Sequence, residues 1–211
     1  MTDPVRVAYD ANAELYASLF SGELAKDDQT LHMLAEFMAQ ASGRPGPVAG
    51  LGCGPGDVVA HLTAGGVDAF GLDISAGQVE QARLAHPGLR FEVGDLTALD
   101  VDDRSLGGIV SRYSIIHLPP EQLAAVFTEW YRALEPGSPL GLAFFGARSA
   151  DRHGEPFDHK VVTAYAFDPA TIGDLVRAAG FVDVRAEATP LPEGGRPFDH
   201  ATLLARRAPT G

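Results

Sequence analysis

The chain has 211 residues, a length that fits a single domain with a substantial core. Its net charge is −12, which argues against a nucleic-acid partner because binding a phosphate backbone requires a basic surface. Its one cysteine, Cys53, cannot form a disulfide within the chain, and no apolar run is long enough to cross a membrane, so we expect a cytoplasmic protein without a membrane partner.

Helical periodicity dominates residues 1–45. Apolar residues at helical spacing predict one amphipathic helix over residues 5–20, and a second helix is expected over about 23–41. The apolar stripe of the first helix consists of Tyr9, Ala13, Tyr16 and Phe20. This stripe would either pack against the rest of the chain or close over a ligand, and the sequence leaves both interpretations open.

Strands and helices alternate from residue 46 onwards. Short apolar strands are predicted at 47–51, 67–72, 89–93, 106–111 and 139–145, with helices at 56–64, 76–86 and 120–134. Such alternation predicts a parallel sheet that is covered by helices on both of its faces.

The regular alternation of strands and helices ends after Gly146. Residues 147–160 are polar and interrupted by glycine and proline, which predicts a loop or a lid. The remaining predicted elements are an extended segment at 161–167, a helix at 169–179 and strands at 181–188 and 201–206. Because there is no linker and no internal repeat, we expect one domain, with an N-terminal helical cap at 1–45 on a core at 46–211.

A glycine-rich loop follows the first predicted strand. The sequence L-G-C-G-P-G at 51–56 places glycines at alternate positions immediately before a helix. Glycine adopts positive φ without strain and lets a ligand approach the backbone closely. The start of the helix adds free N–H groups and a positive dipole end, so the expected ligand is an anion or carries a carboxylate.

Two acidic residues follow the next two strands. Asp73 ends the second strand, 21 residues after Gly52, where a carboxylate can accept hydrogen bonds from both hydroxyls of a ribose. Asp95 follows the third strand within G-D-L. Either acid could instead cap the next helix, but the glycine loop and the two acids in register favour a ligand site.

On these motifs the chain resembles the class I S-adenosylmethionine-dependent methyltransferases. The resemblance covers nearly the whole chain and implies a doubly wound, Rossmann-like, mostly parallel seven-stranded α/β sheet with helices on both faces and an N-terminal helical lid. It implies S-adenosylmethionine as cofactor and S-adenosylhomocysteine as product, with Asp95 meeting the adenine amino group. The cofactor-binding residues it implies are Tyr9, Tyr16, Gly52, Cys53, Gly54, Gly56, Asp73, Ile74, Asp95, Leu96 and Arg112.

The segment after the fourth strand contains the catalytic candidates. Residues 111–120 read S-R-Y-S-I-I-H-L-P-P, similar to a pattern found in members of that family. His117 could orient an acceptor or take its proton, because its ordinary pKa lies near neutrality, and Tyr113 could assist. The alternative is that His117 only holds the loop. A group of acidic residues and histidines at 153–159 reads as a solvated loop, so we expect no metal site.

The resemblance implies methyl transfer to an oxygen, nitrogen or carbon nucleophile of a small molecule. One departure keeps an alternative open, because Gly50 stands where the family usually has an acid. The chain could instead bind the cofactor without transferring its methyl group, as a regulator or as a catalyst of another reaction. A nicotinamide-dependent oxidoreductase is a third possibility, but its G-x-G-x-x-G spacing differs from the G-x-G-x-G found here.

Overall fold

A computed structural model describes residues 4–190 and 198–210. Its helices are α1 Pro4–Ala11, α2 Ala13–Phe20, α3 Asp28–Ala41, α4 Asp57–Ala64, α5 Ala76–Ala85, α6 Leu123–Ala133 and α7 Pro169–Ala178. Its strands are β1 Val48–Leu51, β2 Ala69–Asp73, β3 Arg90–Val93, β4 Gly108–Arg112, β5 Pro139–Gly146, β6 Glu155–Asp158, β7 Thr163–Ala166, β8 Phe181–Pro190 and β9 Asp199–Arg207. None of these described helices is long and apolar enough to cross a membrane.

Seven strands form one sheet in the order β3-β2-β1-β4-β5-β9-β8. The first five strands in that order are parallel to one another, and β9 pairs antiparallel with both β5 and β8. The seven-stranded, mostly parallel fold predicted above is therefore confirmed. The predicted ends of these seven strands lie within two residues of the observed ones.

The sheet separates two apolar clusters. One contains α6 and α7 with Trp130 at its centre, and the other contains α3, α4 and α5 around Phe37. In β1 the buried side chains alternate, so that Leu51 packs in the first cluster and Val48 in the second. Helices therefore cover both faces, as the short apolar strands predict.

The single helix predicted over residues 5–20 is wrong, because the chain breaks at Asn12. The backbone of Asn12 leaves the helical region, at φ −120° and ψ 12°. Its side-chain amide donates to the carbonyl of Ala8 at 2.8 Å, which competes with the helical ladder. The break brings the ring centroids of Tyr9 and Tyr16 to 5.2 Å from each other.

Two further predictions need correction. The helix expected over 23–41 begins at Asp28, because the Asp27 carboxylate accepts from the Thr30 N–H and caps it, and a short 3-10 turn precedes it. The loop expected over 147–160 contains β6, which pairs with β7 in an antiparallel ribbon. The alternation of exposed and half-buried residues in β6 is too short to predict from sequence.

The strand order places the loops after β1 and β4 side by side. β1 pairs with β2 on one side and with β4 on the other, so the chain reverses its direction of progress across the sheet at this point. Ligands of open α/β sheets bind at the carboxyl ends of the strands next to such a switch. The glycine loop and the segment at 111–118 therefore lie together at the carboxyl ends of the strands.

Candidate functional site

A cavity lies at the carboxyl ends of the strands, between the loops after β1 to β4 and the N-terminal helices. The space between its atoms is about 840 Å³, part of it open to solvent. Eleven of the thirteen predicted site residues line it: Tyr9, Tyr16, Gly52, Gly54, Asp73, Ile74, Asp95, Leu96, Arg112, Tyr113 and His117. Cys53 and Gly56 lie outside this lining.

The glycine loop is held from one side by Ser114. Gly52 has φ +67°, and a Cβ there would lie 2.0 Å from the hydroxyl oxygen of Ser114. That hydroxyl lies 3.0 Å from the carbonyl of Leu51, to which it can donate. Gly54 has φ +50°, and a Cβ there would meet nothing closer than 3.9 Å. The backbone at Gly54 is therefore the part of the loop that is open to a ligand.

Cys53 and Gly56 shape the loop from behind. A Cβ on Gly71 would lie 2.8 Å from the thiol sulfur of Cys53, so the thiol fills the space next to β2. Burial raises the pKa of this thiol well above its ordinary value. Gly56 has φ +95° at the start of α4, where a Cβ would lie 2.8 Å from the ring of Phe91.

Asp73 joins the glycine loop to β2. Its carboxylate accepts from the N–H of Gly54 at 2.9 Å and from the N–H of Ser75 at 3.0 Å. Burial raises the pKa of Asp73, and these two hydrogen bonds act in the opposite direction. A carboxylate has about four acceptor positions, so Asp73 can hold the loop and still accept hydrogen bonds from a ligand.

Asp95 fixes a turn rather than capping a helix, and it lines the cavity. One of its oxygens accepts from the N–H of Thr97 at 2.8 Å and from its hydroxyl at 2.6 Å, which fixes the turn after β3. The same side chain is exposed and lines the cavity. The turn thus holds the carboxylate at the mouth of the cavity.

Gln78 is a cavity residue that the sequence analysis missed. It is 1% exposed, and both polar atoms of its side chain are without a hydrogen-bond partner. The pattern S-x-x-Q at 75–78 is typical of a capping box, in which the Gln78 side chain would turn back to the N–H of Ser75. Asp73 takes that N–H instead. Because buried polar groups are rarely left unpaired, this amide fits a ligand with polar groups, as S-adenosylmethionine has.

His117 is held between the N-terminal helix and the β6–β7 ribbon. Its Nε2 lies 2.8 Å from the hydroxyl of Tyr9, and its Nδ1 lies 3.2 Å from the carbonyl of Thr163. Because a carbonyl can only accept, Nδ1 carries the proton and Nε2 accepts from Tyr9. Burial lowers the pKa of His117 despite the bond to Thr163, so the ring is neutral at pH 7.

Tyr113 begins the loop after β4 in an unfavourable backbone conformation. Its φ is +55°, a value that costs an aromatic residue about 1–3 kcal/mol. Its hydroxyl is hydrogen-bonded to Nδ1 of His200 in β9, 87 residues further along the chain. The sequence contained no signal for this contact, because His200 lies in the last strand and far from every motif.

Gly50 lies in β1 beneath α4. A Cβ at Gly50 would be 2.9 Å from a methyl carbon of Val59, which is fully buried. An acidic side chain at this position therefore requires Val59 to move. The packing of α4 on the sheet is therefore tight at this position.

Curated relatives of this chain are methyltransferases. A family model described as a methyltransferase domain matches residues 48–137. The chain is 30% identical to a malonyl-acyl-carrier-protein O-methyltransferase of Erwinia billingiae, over 82% of this chain and 75% of that protein. It is 28% identical to phosphoethanolamine N-methyltransferase 3 of Arabidopsis thaliana, over 86% of this chain but only 38% of that protein.

Solved structures share the fold. The 4+2 cyclase SpnF superposes with a TM-score of 0.78, over 99% of this chain and 98% of that one, at 17% identity. At this identity the similarity concerns the fold alone. The relative from Erwinia billingiae, in contrast, is similar enough over three quarters of its own length to show the family. The chain therefore belongs to the class I S-adenosylmethionine-dependent methyltransferases, enzymes that take their methyl group from that cofactor.

Proposed function

We propose that the chain methylates an oxygen, nitrogen or carbon nucleophile of a compact small molecule. The observation that carries this proposal is a shared cavity, lined on one side by Asp73 and Asp95 and on the other by Tyr113 and His117. When bound, S-adenosylmethionine supplies an activated methyl group, so the task left to the protein is to align the acceptor. The N-terminal helices and the β6–β7 ribbon, which meet at His117, would enclose it.

The cofactor would occupy the side of the cavity formed by the glycine loop. We assign the ribose hydroxyls to Asp73, the adenine amino group to Asp95, and the two faces of the adenine ring to Ile74 and Leu96. The open backbone at Gly54 and the unpaired amide of Gln78 support a polar group of the cofactor next to them.

The acceptor side contains little positive charge. Among the described residues that line the cavity, Arg112 is the one lysine or arginine, and it is paired with Asp27 at 3.0 Å. Relatives of this chain are named for malonyl-acyl-carrier protein, phosphoethanolamine and trans-aconitate, all of which carry carboxylate or phosphate groups. Because the described part of the cavity wall offers no unpaired cation to such groups, we propose an acceptor without an anionic group, such as a phenol, an alcohol or an amine.

The proton of such an acceptor has two destinations in the cavity. Nε2 of His117 is unprotonated and accepts from Tyr9, so it can orient an acceptor hydroxyl that takes the place of Tyr9. The oxygen of Tyr113 is the other group that can take part in proton transfer.

A panel of acceptors tests the proposal. The chain is incubated with S-adenosylmethionine carrying a ¹³C-labelled methyl group and with a phenol, an alcohol, an amine, a carboxylate and an activated methylene compound, and products are found by mass spectrometry. We expect label in an uncharged or amine acceptor. If S-adenosylhomocysteine binds in calorimetry but no acceptor is labelled, the proposal is contradicted. That result would favour the alternative that Gly50 kept open, a cofactor-binding protein without methyl transfer.

A further inference from the structure

A buried chain of hydrogen bonds leads away from the cavity. The hydroxyl of Tyr113 contacts Nδ1 of His200, and Nε2 of His200 lies 3.1 Å from a carboxylate oxygen of Asp27. His200 is 7% exposed, and the side chain of Asp27 is 13% exposed. These three residues come from the loop after β4, from β9 and from the start of α3, so only the tertiary fold brings them together.

The direction of these hydrogen bonds is determined by Asp27. A carboxylate can only accept, so Nε2 of His200 carries the proton and Nδ1 is left to accept from the hydroxyl of Tyr113. Burial alone would raise the pKa of Asp27, but hydrogen bonds from His200 and Thr30 outweigh it and hold that pKa well below its ordinary value. Asp27 is therefore ionised at neutral pH.

Arg112 pairs with the same carboxylate. Its guanidinium donates to the second oxygen of Asp27 at 3.0 Å. This pairing balances the charge of Asp27. With its proton on Nε2, His200 presents the lone pair of Nδ1 to the hydroxyl of Tyr113.

The arrangement is more elaborate than packing requires. A phenylalanine at position 113 could fill the same space next to Phe145, whose ring lies 4.8 Å from that of Tyr113. The chain instead maintains an aromatic residue at φ +55° and orders a histidine and an ion pair behind its hydroxyl. Strained residues that are supported in this way are concentrated at functional sites.

We propose that Tyr113 is the general base for the methyl acceptor, with His200 and Asp27 as its positioning residues. This inference rests on the proposed function. The acceptor proton passes to the oxygen of Tyr113 while the proton of Tyr113 passes to Nδ1 of His200, and the electron pair of the broken acceptor bond becomes the nucleophilic lone pair. The imidazolium formed is stabilised by Asp27. After transfer, His200 returns its proton to Tyr113, which releases one to water.

The proton position on His200 gives a test that needs no acceptor. The ring nitrogens of the full chain, labelled with ¹⁵N-histidine, are observed by NMR, and His200→Gln identifies the signals of His200. We expect a protonated Nε2 and an unprotonated Nδ1 in the wild-type protein. Tyr113→Phe should shift the Nδ1 signal, whereas the control Tyr131→Phe, on α6 outside the cavity, should not. A proton on Nδ1 would overturn the relay, because Tyr113 could then not pass its own proton on.

Turnover with two matched acceptors tests the role of the relay. A phenol from the panel needs a base to take its proton, whereas its thiophenol analogue is a far stronger acid and can lose its proton to water. With the phenol, Tyr113→Phe and His200→Gln should lower kcat about 100-fold, and Asp27→Asn, which keeps the helix cap, about 10-fold. With the thiophenol all three losses should be about threefold or less.

Two outcomes separate this inference from the proposed function. Equal losses with both acceptors would show that the three residues only support the structure, and would overturn the relay. A wild-type protein that methylates no acceptor would contradict the proposed function, and the NMR measurement would then decide the relay alone.

Discussion

Single residues in this protein serve the fold and the site together. The Asp73 carboxylate holds the N–H of Gly54 and also lines the cavity, so its removal affects both the loop and the ligand. Asp95 also fixes a turn, but that turn involves only its own neighbour Thr97. The two acids therefore differ in how far their loss should spread through the structure.

Substitution of the two acids separates these roles. Asp73→Ala should weaken S-adenosylhomocysteine binding by about 1.5–3 kcal/mol and also lower the stability, because two backbone N–H groups lose their acceptor. Asp95→Ala should weaken binding by about 1 kcal/mol and leave the stability of the sheet nearly unchanged. Calorimetry and thermal unfolding measure both effects. An Asp73→Ala protein that binds with wild-type affinity would contradict the ribose assignment.

His117 should matter for turnover rather than for binding. Its neutral Nε2 faces Tyr9 and the cavity, so His117→Ala removes a group that can orient the acceptor. We expect kcat to fall about 100-fold while the affinity for S-adenosylhomocysteine changes about twofold at most. His153→Ala is the matched control, because His153 lies by the ribbon and does not line the cavity. Unchanged turnover in His117→Ala would return His117 to a structural role.

At the scale of elements, the N-terminal helices are attached to the core by few contacts. Asp10 of α1 accepts from the hydroxyl of Ser75 at 2.7 Å and from the N–H of Gly77 at 3.1 Å, both at the start of α5. Tyr9 adds its bond to His117. Ala13 is the one described residue of the two helices that is buried, and Tyr9 and Tyr16 are half-buried. Such an element can open without unfolding the core.

Loss of the Asp10 contact should therefore speed ligand release. We expect Asp10→Ala to raise the dissociation rate of S-adenosylhomocysteine about fivefold, because the helices lose a charge-assisted contact that keeps them closed. The melting temperature of the core should change little. Glu14→Ala, an exposed acid on α2, provides the control in the same stopped-flow measurement. Identical release rates in both variants would mean that these helices do not gate the cavity.

At the scale of the whole molecule, Asp27 connects three distant parts of the chain. It caps α3, pairs with Arg112 at the end of β4 and accepts from His200 in β9. Its pKa lies below the ordinary value of 3.8, so its contribution to stability is complete above that value and is lost as the pH falls below it. Stability at neutral pH therefore includes a term that acid removes.

Urea unfolding across a pH series measures this term. At pH 7 Asp27→Asn should be less stable than wild type by about 1–3 kcal/mol, because Arg112 and His200 lose their charged acceptor. The difference should shrink as the pH is lowered from about 4 towards 2. The neighbouring exposed residue supplies the control Asp28→Asn, which should follow the wild type. A difference that stays constant down to pH 2 would contradict the assignment.

The sequence by itself determined the fold and one side of the site. Alternating apolar strands and helices specify the parallel sheet, because their periodicities depend only on local geometry. The glycine loop, Asp73 and Asp95 could be identified as candidate site residues because each lies at the end of a strand. The carboxyl ends of parallel strands lie on one side of the sheet. The break at Asn12 was missed, because the helical spacing of Tyr9, Ala13 and Tyr16 continues through it.

Only the tertiary structure decided the contacts between distant segments. The partners of Tyr113 and His117 are His200 and Thr163, and no periodicity or spacing relates residues that are 46 or 87 positions apart. The room for a side chain at Gly50 likewise depends on Val59, which belongs to α4. Local pattern encodes which residues form strands and turns, whereas side-chain packing between elements determines which chemical groups share a cavity.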